Sequence, residues 1–258
     1  MGENRKPKLR TVSRTEQPFA LNDFPPNFPT ELGKHVLALM AARETPAIEG
    51  KDWEEIFAKC IGAAWKPSNI GLDDVVLGDT AWGLKSVKNE NPFQLKRVRL
   101  ISGRNSPNYS FGEKISQEED SNRVGNSVLS IWNERVSEVR KKYRNLRTAV
   151  LVKSHSLEKL VVFEFDTIRY DPELYDWKWN KNGNLEGFYR QDQYHAFTWQ
   201  PHGSQFTIIE AAPGRRLCLT LKRPPTLNRD KILELIEFDP KMVEFSYTHD
   251  DQLFRKES

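Results

Sequence analysis

The chain has 258 residues, 38% hydrophobic and 29% charged, enough to bury a core as one large domain or two small ones without disulfide staples. Its longest apolar runs, such as Ala149–Val152, fall far short of the roughly 20 residues a membrane helix requires, and 11% aromatic content excludes a wholly disordered chain. The net charge of +3 is unevenly spread: residues 1–14 carry Arg5, Lys6, Lys8, Arg10 and Arg14 against Glu3, so the remainder sums to one negative charge and a globally basic coat is excluded.

Residues 1–28 read as a basic, flexible arm, closed by Phe24-Pro-Pro-Asn-Phe-Pro29, which the prolines keep out of regular structure. The spacing predicts a helix from a Thr30 cap to about Arg43, with Leu32, Val36, Leu39 and Met40 on one stripe. A second helix follows Gly50, where Trp53, Ile56, Phe57, Cys60 and Ile61 recur at helical spacing and Glu54 and Glu55 flank the stripe. Then the period changes. Asp74–Asp79 reads as a short strand and Ala81–Lys88 as its hairpin partner across a tight Gly78-Asp79-Thr80 turn. Leu95–Ser102 is a third strand and Gly103–Tyr109 a loop.

A long helix is predicted from about Gln117 to Asn145, followed by apolar strands over Ala149–Lys153 and Leu160–Phe165. Beyond residue 170 eight aromatics from Trp177 to Phe206 accompany the turn signals Asn180–Asn184 and Pro201–Ser204, which predict β-hairpins. Leu217–Leu221 reads as a strand, Lys231–Phe238 as a short helix and Val243–Tyr247 as a last strand. The expected class is therefore α/β (α+β): a mixed central sheet flanked by helices, with a β-hairpin-rich C-terminal extension.

Two basic clusters stand out, Lys85 to Arg104 and Arg135 to Arg147, and either suits phosphate neutralisation or a plain solvated face. The five histidines lack zinc-ligand spacing with cysteine, and no Gly-rich phosphate loop or serine-hydrolase elbow is present. Cys60 and Cys218 stand far apart in no redox motif, and no apolar leader follows the charged N-terminus, so the expected compartment is a reducing cytoplasm.

The segment Gly71-Leu-Asp-Asp-Val-Val-Leu-Gly-Asp-Thr-Ala-Trp-Gly-Leu-Lys-Ser-Val-Lys88 carries the candidate chemistry. An acid opening one strand and a lysine on its neighbour can bring Asp74 and Lys85 to one end of a sheet. A carboxylate there can hold a divalent metal, and an ammonium can steady a nucleophile or a phosphate.

Asp74, Trp82–Lys88, Arg99–Ser106 and the long helix running into Arg147–Val152 resemble the PD-(D/E)-x-K nuclease superfamily, and within it the type II restriction endonucleases. The resemblance implies an αβββαβ core over residues 29–165, followed by a recognition extension over 166–258 packed on it. It further implies Mg2+-dependent hydrolysis of double-stranded DNA at a specific sequence by a homodimer, with a DNA methyltransferase as genetic partner. The motif's second acid should stand two residues before the lysine, where this chain has Gly83, which cannot bind metal. Three repairs are open: Asp79 in the turn, Glu54 or Glu55 from the second helix, or a shifted register with Gln94-Leu-Lys96 as the motif. Lys85 is favoured over Lys96, which follows a proline turn, and over Lys88. The candidate catalytic set is Asp74, Lys85 and Asp79, and the candidate metal set Asp74, Asp79 and Glu55. Candidate DNA contacts are Lys88, Arg104 and Asn105, with Arg190, Gln191, Gln193 and Gln205 reading base edges from the hairpins. The alternatives are a non-catalytic DNA- or RNA-binding module, its site lost at Gly83, and an interaction protein whose aromatic hairpins bind protein.

Overall fold

The computed structural model describes residues 17–43, 45–66, 71–112 and 114–244. The chain is mixed α/β, with two sheets and a helix wedged between them. Among these residues no helix is long and apolar enough to cross a membrane. Residues 1–16 of the expected arm lie outside the described residues, but Gln17–Phe28 are no free arm: Phe19, Phe24 and Phe28 pack on the core and Asn22 bonds to the Glu164 backbone.

The first sheet has the order β1(Ala64–Trp65), β2(Val75–Leu77), β3(Thr80–Lys88), β5(Asn145–Lys153), β6(Lys159–Asp166), β11(Leu217–Thr220). Strands β1, β2 and β3 form an antiparallel meander, and β3 then pairs in parallel with β5, Lys85 opposite Val150. A parallel pair needs a crossover, and α4(Ser121–Arg140) lies within this one. Sheet and crossover are thus the expected mixed sheet flanked by helices. One face is covered by α1(Phe28–Ala42) and α2(Gly50–Ile61), whose Leu32, Val36, Trp53 and Phe57 pack on Trp82, Leu84, Ala149 and Leu151.

The second sheet has the order β4(Arg97–Arg104), β10(Gln205–Ala211), β9(His195–Gln200), β8(Leu185–Tyr189), β7(Tyr175–Trp179), all antiparallel. The aromatic hairpins form as expected. Their Trp177, Phe197, Trp199 and Phe206 pack against Val128, Leu129 and Trp132 of α4. The fit is close at Gly125 of α4: a Cβ there would lie 2.2 Å from the Trp177 ring.

Five expectations need correction. The expected loop Gly103–Tyr109 runs into a short helix, α3(Pro107–Phe111), capped by the Ser106 hydroxyl, which accepts from Tyr109 N. Strand β4 belongs to the second sheet, paired with β10, and not to the central sheet. Its alternation explains this: Val98 and Leu100 are buried while Arg97, Arg99 and Ile101 are exposed, the pattern of a strand with one packed face. By contrast β5 is buried on both faces over Ala149–Lys153. The first helix begins at Phe28, two residues before Thr30, because Pro29 sits in the first turn, where its missing N–H is no loss. The long helix is shorter than expected: Asp120 caps it by accepting from Arg123 N, and it ends at Arg140, ahead of the Lys141–Arg144 turn into β5. Val243 and Glu244 are in no strand, and the rest of the expected strand to Tyr247 lies outside the described residues.

A buried ion pair lies on the helical face of the central sheet. Arg147 Nη1 of β5 donates to Glu164 Oε2 of β6 at 3.1 Å, both side chains essentially without solvent. Trp82 Nε1 donates to Glu164 Oε1 at 2.6 Å, and Arg147 Nη2 reaches Gln17 Oε1 and the Phe19 carbonyl. Burial pushes the Glu164 carboxyl up, against the opposing pull of Arg147, Trp82 and the Asn22 amide. Removing one partner strands the other charge in the core, whereas removing both does not. Arg147→Met should therefore cost about 3–5 kcal/mol of unfolding free energy in a denaturant titration, and Arg147→Met with Glu164→Leu should recover most of it. A double variant as unstable as the single one would show that shape, not charge, holds this site.

Candidate active site at the seam of the two sheets

Asp74 ends the loop before β2, and its Oδ2 accepts from Leu84 N of β3 at 3.1 Å, which fixes the carboxylate beside the strand that carries Lys85. The side chain is 5% exposed. Burial pushes its carboxyl up to about 6, aided by the negative charges of Glu54 and Asp73 and opposed by the Leu84 amide and the Lys85 ammonium. Burial likewise pushes the Lys85 ammonium down, and Arg135 adds to this while Asp74 and Glu54 oppose it. These five groups, Asp74, Asp73, Glu54, Lys85 and Arg135, therefore share one electrostatic site. Lys85 also borders a small, partly open cavity of about 20 Å³ between the sheets, with Ser102, Trp132 and Glu210 in the same wall. That space admits a single water-sized group.

Glu54 reaches the site because α2 turns Trp53, Ile56 and Phe57 into the core, leaving Glu54 at the edge of that stripe, where Trp65 Nε1 of β1 donates to its Oε2 at 3.1 Å. Arg135 comes from α4. Its Nη1 donates to the Ser102 carbonyl at 2.6 Å and to Asn105 Oδ1 at 3.1 Å. It lies so close to Gly103, at φ 113°, that a Cβ there would meet the guanidinium at 2.6 Å. Asp73 contributes a buried Oδ1 with no hydrogen-bond partner among the described residues.

The structure separates several residues that the sequence grouped. Asp79 sits at the far end of β3 with Arg144 3.8 Å away; six residues of strand put it about 20 Å from Lys85 along the chain. Asp79 is thus no partner of this site. Glu55 pairs with Lys59 at 2.6 Å and lines the groove between α1 and α2, so Glu54 takes the place given to Glu55. Gln94 lies in a 3-10 turn and Lys96 in the exposed link to β4, which removes the shifted register.

Among the expected DNA contacts, Asn105 is fully buried: its Nδ2 donates to the Val128 carbonyl, and its own carbonyl accepts from Trp199 Nε1. It locks β4 to α4 and cannot read bases. Lys88 and Arg104 are exposed at their strand ends. Gln205 pairs with Arg104 and Gln200 at one end of the second sheet, but Arg190, Gln191 and Gln193 lie by the β8–β9 turn at the other end. Arg190 there pairs with Asp176 at 2.9 Å. These residues do not form one recognition surface. The basic clusters disperse too: Arg147 is inside, Lys85 is partly buried, Arg97 lies over the Tyr194 ring, and Arg140 donates to the Thr167 carbonyl.

Sequence reasoning missed Arg135 and Asp73 as members of the site and took Glu55 over Glu54. A signal for Glu54 existed: it directly follows the buried Trp53. The sequence marks Arg135 only as the start of a basic cluster; its approach to Lys85 depends on the packing of α4. No protein-family model, characterised protein or solved structure matches the chain.

The missing acid at Gly83 has a steric cause. A Cβ on Gly83 would lie 3.0 Å from the Gly71 carbonyl oxygen and 3.1 Å from Leu72 Cα, backbone atoms of the segment that delivers Asp74. Gly83→Ala should therefore cost about 1–3 kcal/mol, measured by thermal or denaturant unfolding, and Gly83→Glu at least as much, with no gain of function from the restored motif. A stable Gly83→Glu protein would mean the Gly71–Leu72 segment yields freely.

The pH dependence of stability follows from Asp74, whose folded value of about 6 lies above its ordinary 3.8. Between these values the folded chain keeps a proton the unfolded chain has released, so this group's contribution falls as pH rises through the window and levels off above it. Asp74→Asn, which can still accept from Leu84 N, should be more stable than wild type above pH 6 and equal to it below about pH 4. Equal melting temperatures at both ends would place the carboxylate in water.

Proposed function

We propose that this chain is a divalent-metal-dependent endonuclease of the restriction type, hydrolysing phosphodiester bonds in double-stranded DNA at a specific sequence. The observation that carries the reading is the buried Asp74, held by Leu84 N just before β2, set beside the partly buried Lys85 of β3, with Glu54 of the preceding helix near enough for the three charges to interact. The order α2, β1, β2, β3, α4, β5, with an antiparallel meander and then a parallel partner for β3, supports it as the αβββαβ arrangement the resemblance implies. In that alignment β1 is the first core strand, and β4 is an excursion to the second sheet.

Among the described residues no group of three or more His, Cys, Asp or Glu side chains is placed to hold a metal ion. Magnesium asks for less, since it keeps most of its waters and takes one or two carboxylates beside substrate oxygens. The unpartnered Asp73 oxygen and the mutual repulsion of Asp74, Asp73 and Glu54 are a local excess of negative charge of the kind a divalent cation relieves. Asp74 and Glu54 would hold the ion, which when bound would supply charge neutralisation at the attacked phosphate. Lys85, held partly desolvated beside Asp74, orients the attacking water and moves its proton. Arg135 holds the Ser102–Asn105 segment in place and keeps positive charge near the site. Lys88 and Arg104 offer exposed charge to phosphates.

The test is incubation of purified protein with unmethylated plasmid and magnesium, with discrete bands expected. Lys85→Ala and Asp74→Ala should reduce cleavage by about 10²–10⁴-fold, on the scale of losing a positioned acid or base, while salt-dependent DNA binding persists. Glu54→Gln should also impair cleavage, whereas Glu55→Gln and Asp79→Asn should not. Undiminished cleavage by Asp74→Ala would overturn this site. Sequence-selective binding without cleavage in any divalent metal would favour the non-catalytic module.

A further inference from the structure

Strand β4 carries positive charge that no carboxylate among the described residues neutralises. Residues 91–112 contain Lys96, Arg97, Arg99 and Arg104 and no Asp or Glu. None of the three β4 arginines forms an ion pair among the described residues, whereas the surface residues Arg123, Arg144, Arg190 and Arg215 each do. Two of the three are held by neutral groups, which fix a side chain without cancelling its charge. The Arg97 guanidinium lies 4.6 Å over the Tyr194 ring, and Arg99 Nη2 donates to Thr198 Oγ1 at 3.0 Å. A guanidinium has five N–H donors, so each keeps donors to spare.

The strand sets these charges in one row. Arg97, Arg99 and Ile101 alternate with the buried Val98 and Leu100, so successive members stand roughly 6.8 Å apart on the outer face. Past Ile101 the alternation is reset. Ile101 pairs with Thr207 and Arg104 with Gln205, a three-residue step on β4 against a two-residue step on β10. Thr207 and Gln205 share a face by period, so the bulge, with Gly103 at φ 113°, returns Arg104 to the row. Opposite the row β10 offers Thr207, Ile209 and Ala211, none of them acidic. The row ends beside groups that suit bases: Gln205 pairs with Gln200 next to Arg104, and Tyr109 of α3 is 91% exposed.

We propose that the outer face of β4 holds a single-stranded segment of nucleic acid, its phosphates on Arg97, Arg99 and Arg104 and an unstacked base on Tyr109. Cations fixed in a line without neutralisation complement a polyanion whose charges repeat along a line, and a single row fits one strand. Ile101, 56% exposed in the row, and Tyr109 offer apolar surface to base faces, which an unpaired strand presents and a duplex hides. The proposal does not rest on the nuclease reading: the cavity beside Lys85 is bordered by Leu100 and Ser102, and Leu100 is on the opposite face of β4 from the row.

Fluorescence anisotropy of the full chain with a labelled oligothymidylate, repeated across salt concentrations, tests it. Arg97→Gln with Arg99→Gln and Arg104→Gln should reduce the slope of log affinity against log salt by about two, at about 0.7 per phosphate contact on a single strand. Tyr109→Ala should weaken binding by about fivefold or more at an unchanged slope. Arg190→Gln with Arg215→Gln, cations already paired elsewhere, should leave the slope as it is. Glutamine keeps a donor for Thr198, and circular dichroism reads whether the fold is retained. Ile101→Glu, which breaks no polar contact, is the second variant: a negative charge inside the row should also weaken binding and flatten the slope. A wild-type slope in both the triple variant and Ile101→Glu overturns the proposal. So does a triple variant that loses as much affinity for a duplex of the same length as for the single strand. Single-strand binding by a protein that cuts no plasmid would count against the nuclease reading alone, and plasmid cleavage without single-strand binding against this proposal alone.

Discussion

The Arg147–Glu164 pair is the constraint on which the central sheet depends. It joins β5 to β6, takes a third partner from Trp82 on β3, and draws the chain from Gln17 to Asn22 across the helical face. Two charges without solvent tolerate little displacement, because each ångström of separation weakens the attraction while desolvation stays paid in full. The pair thereby pins the register of β3 against β5, with Trp82 opposite Arg147. Three residues further along the same strand, on the opposite face, stands Lys85. The position of Lys85 is thus set from behind by a contact that touches none of its chemistry.

That arrangement explains how the fold keeps an unfavourable site. Asp74 and Lys85 are both buried enough that each resists its charged form, and Glu54 and Asp73 add repulsion to the acid. Left alone, such a cluster would open to water. Here the Leu84 amide holds Asp74, the Trp65 indole holds Glu54, and Arg135 is held over Gly103 by the Ser102 carbonyl. Buried, mutually interacting titratable groups are a mark of functional sites, which is why the proposed function is built on this cluster and not on any exposed charge.

Much of the scaffold was legible in the sequence, and the reasons it failed elsewhere are physical. Helices α1, α2 and α4 announced themselves through buried stripes, and Asp74 with Lys85 through an acid and a lysine flanking one tight turn. Strand β4 was assigned to the wrong sheet because chain order suggested a third hairpin strand. Its alternation of Arg97, Val98, Arg99 and Leu100 already favoured an antiparallel edge with one wet face. The true first strand, Ala64–Trp65, has two residues, too short for any periodic signal. Asn105 misled because loop asparagines are usually wet, and only the packing of Trp199 and Val128 around it reveals a lock.

The choice between Glu54 and Glu55 turns on one step of helix rotation. Adjacent helical residues diverge by about 100°, so one faces β1 and the other the α1–α2 groove. Sequence periodicity fixes which residues are apolar and inward, but it leaves the flanking polar pair nearly symmetric about the stripe. What breaks the symmetry is tertiary: β1 lies on one side of α2, offering the Trp65 indole to Glu54, and α1 lies on the other, where Glu55 pairs with Lys59 at the groove wall. The same short helix thus serves two faces of the molecule, an acidic one toward Asp74 and an amphipathic one toward the groove. Gly83 bears on the first face: a Cβ there would press on Gly71 and Leu72, the strand supplies no carboxylate at that position, and in the proposed site the second one comes from the helix beside it.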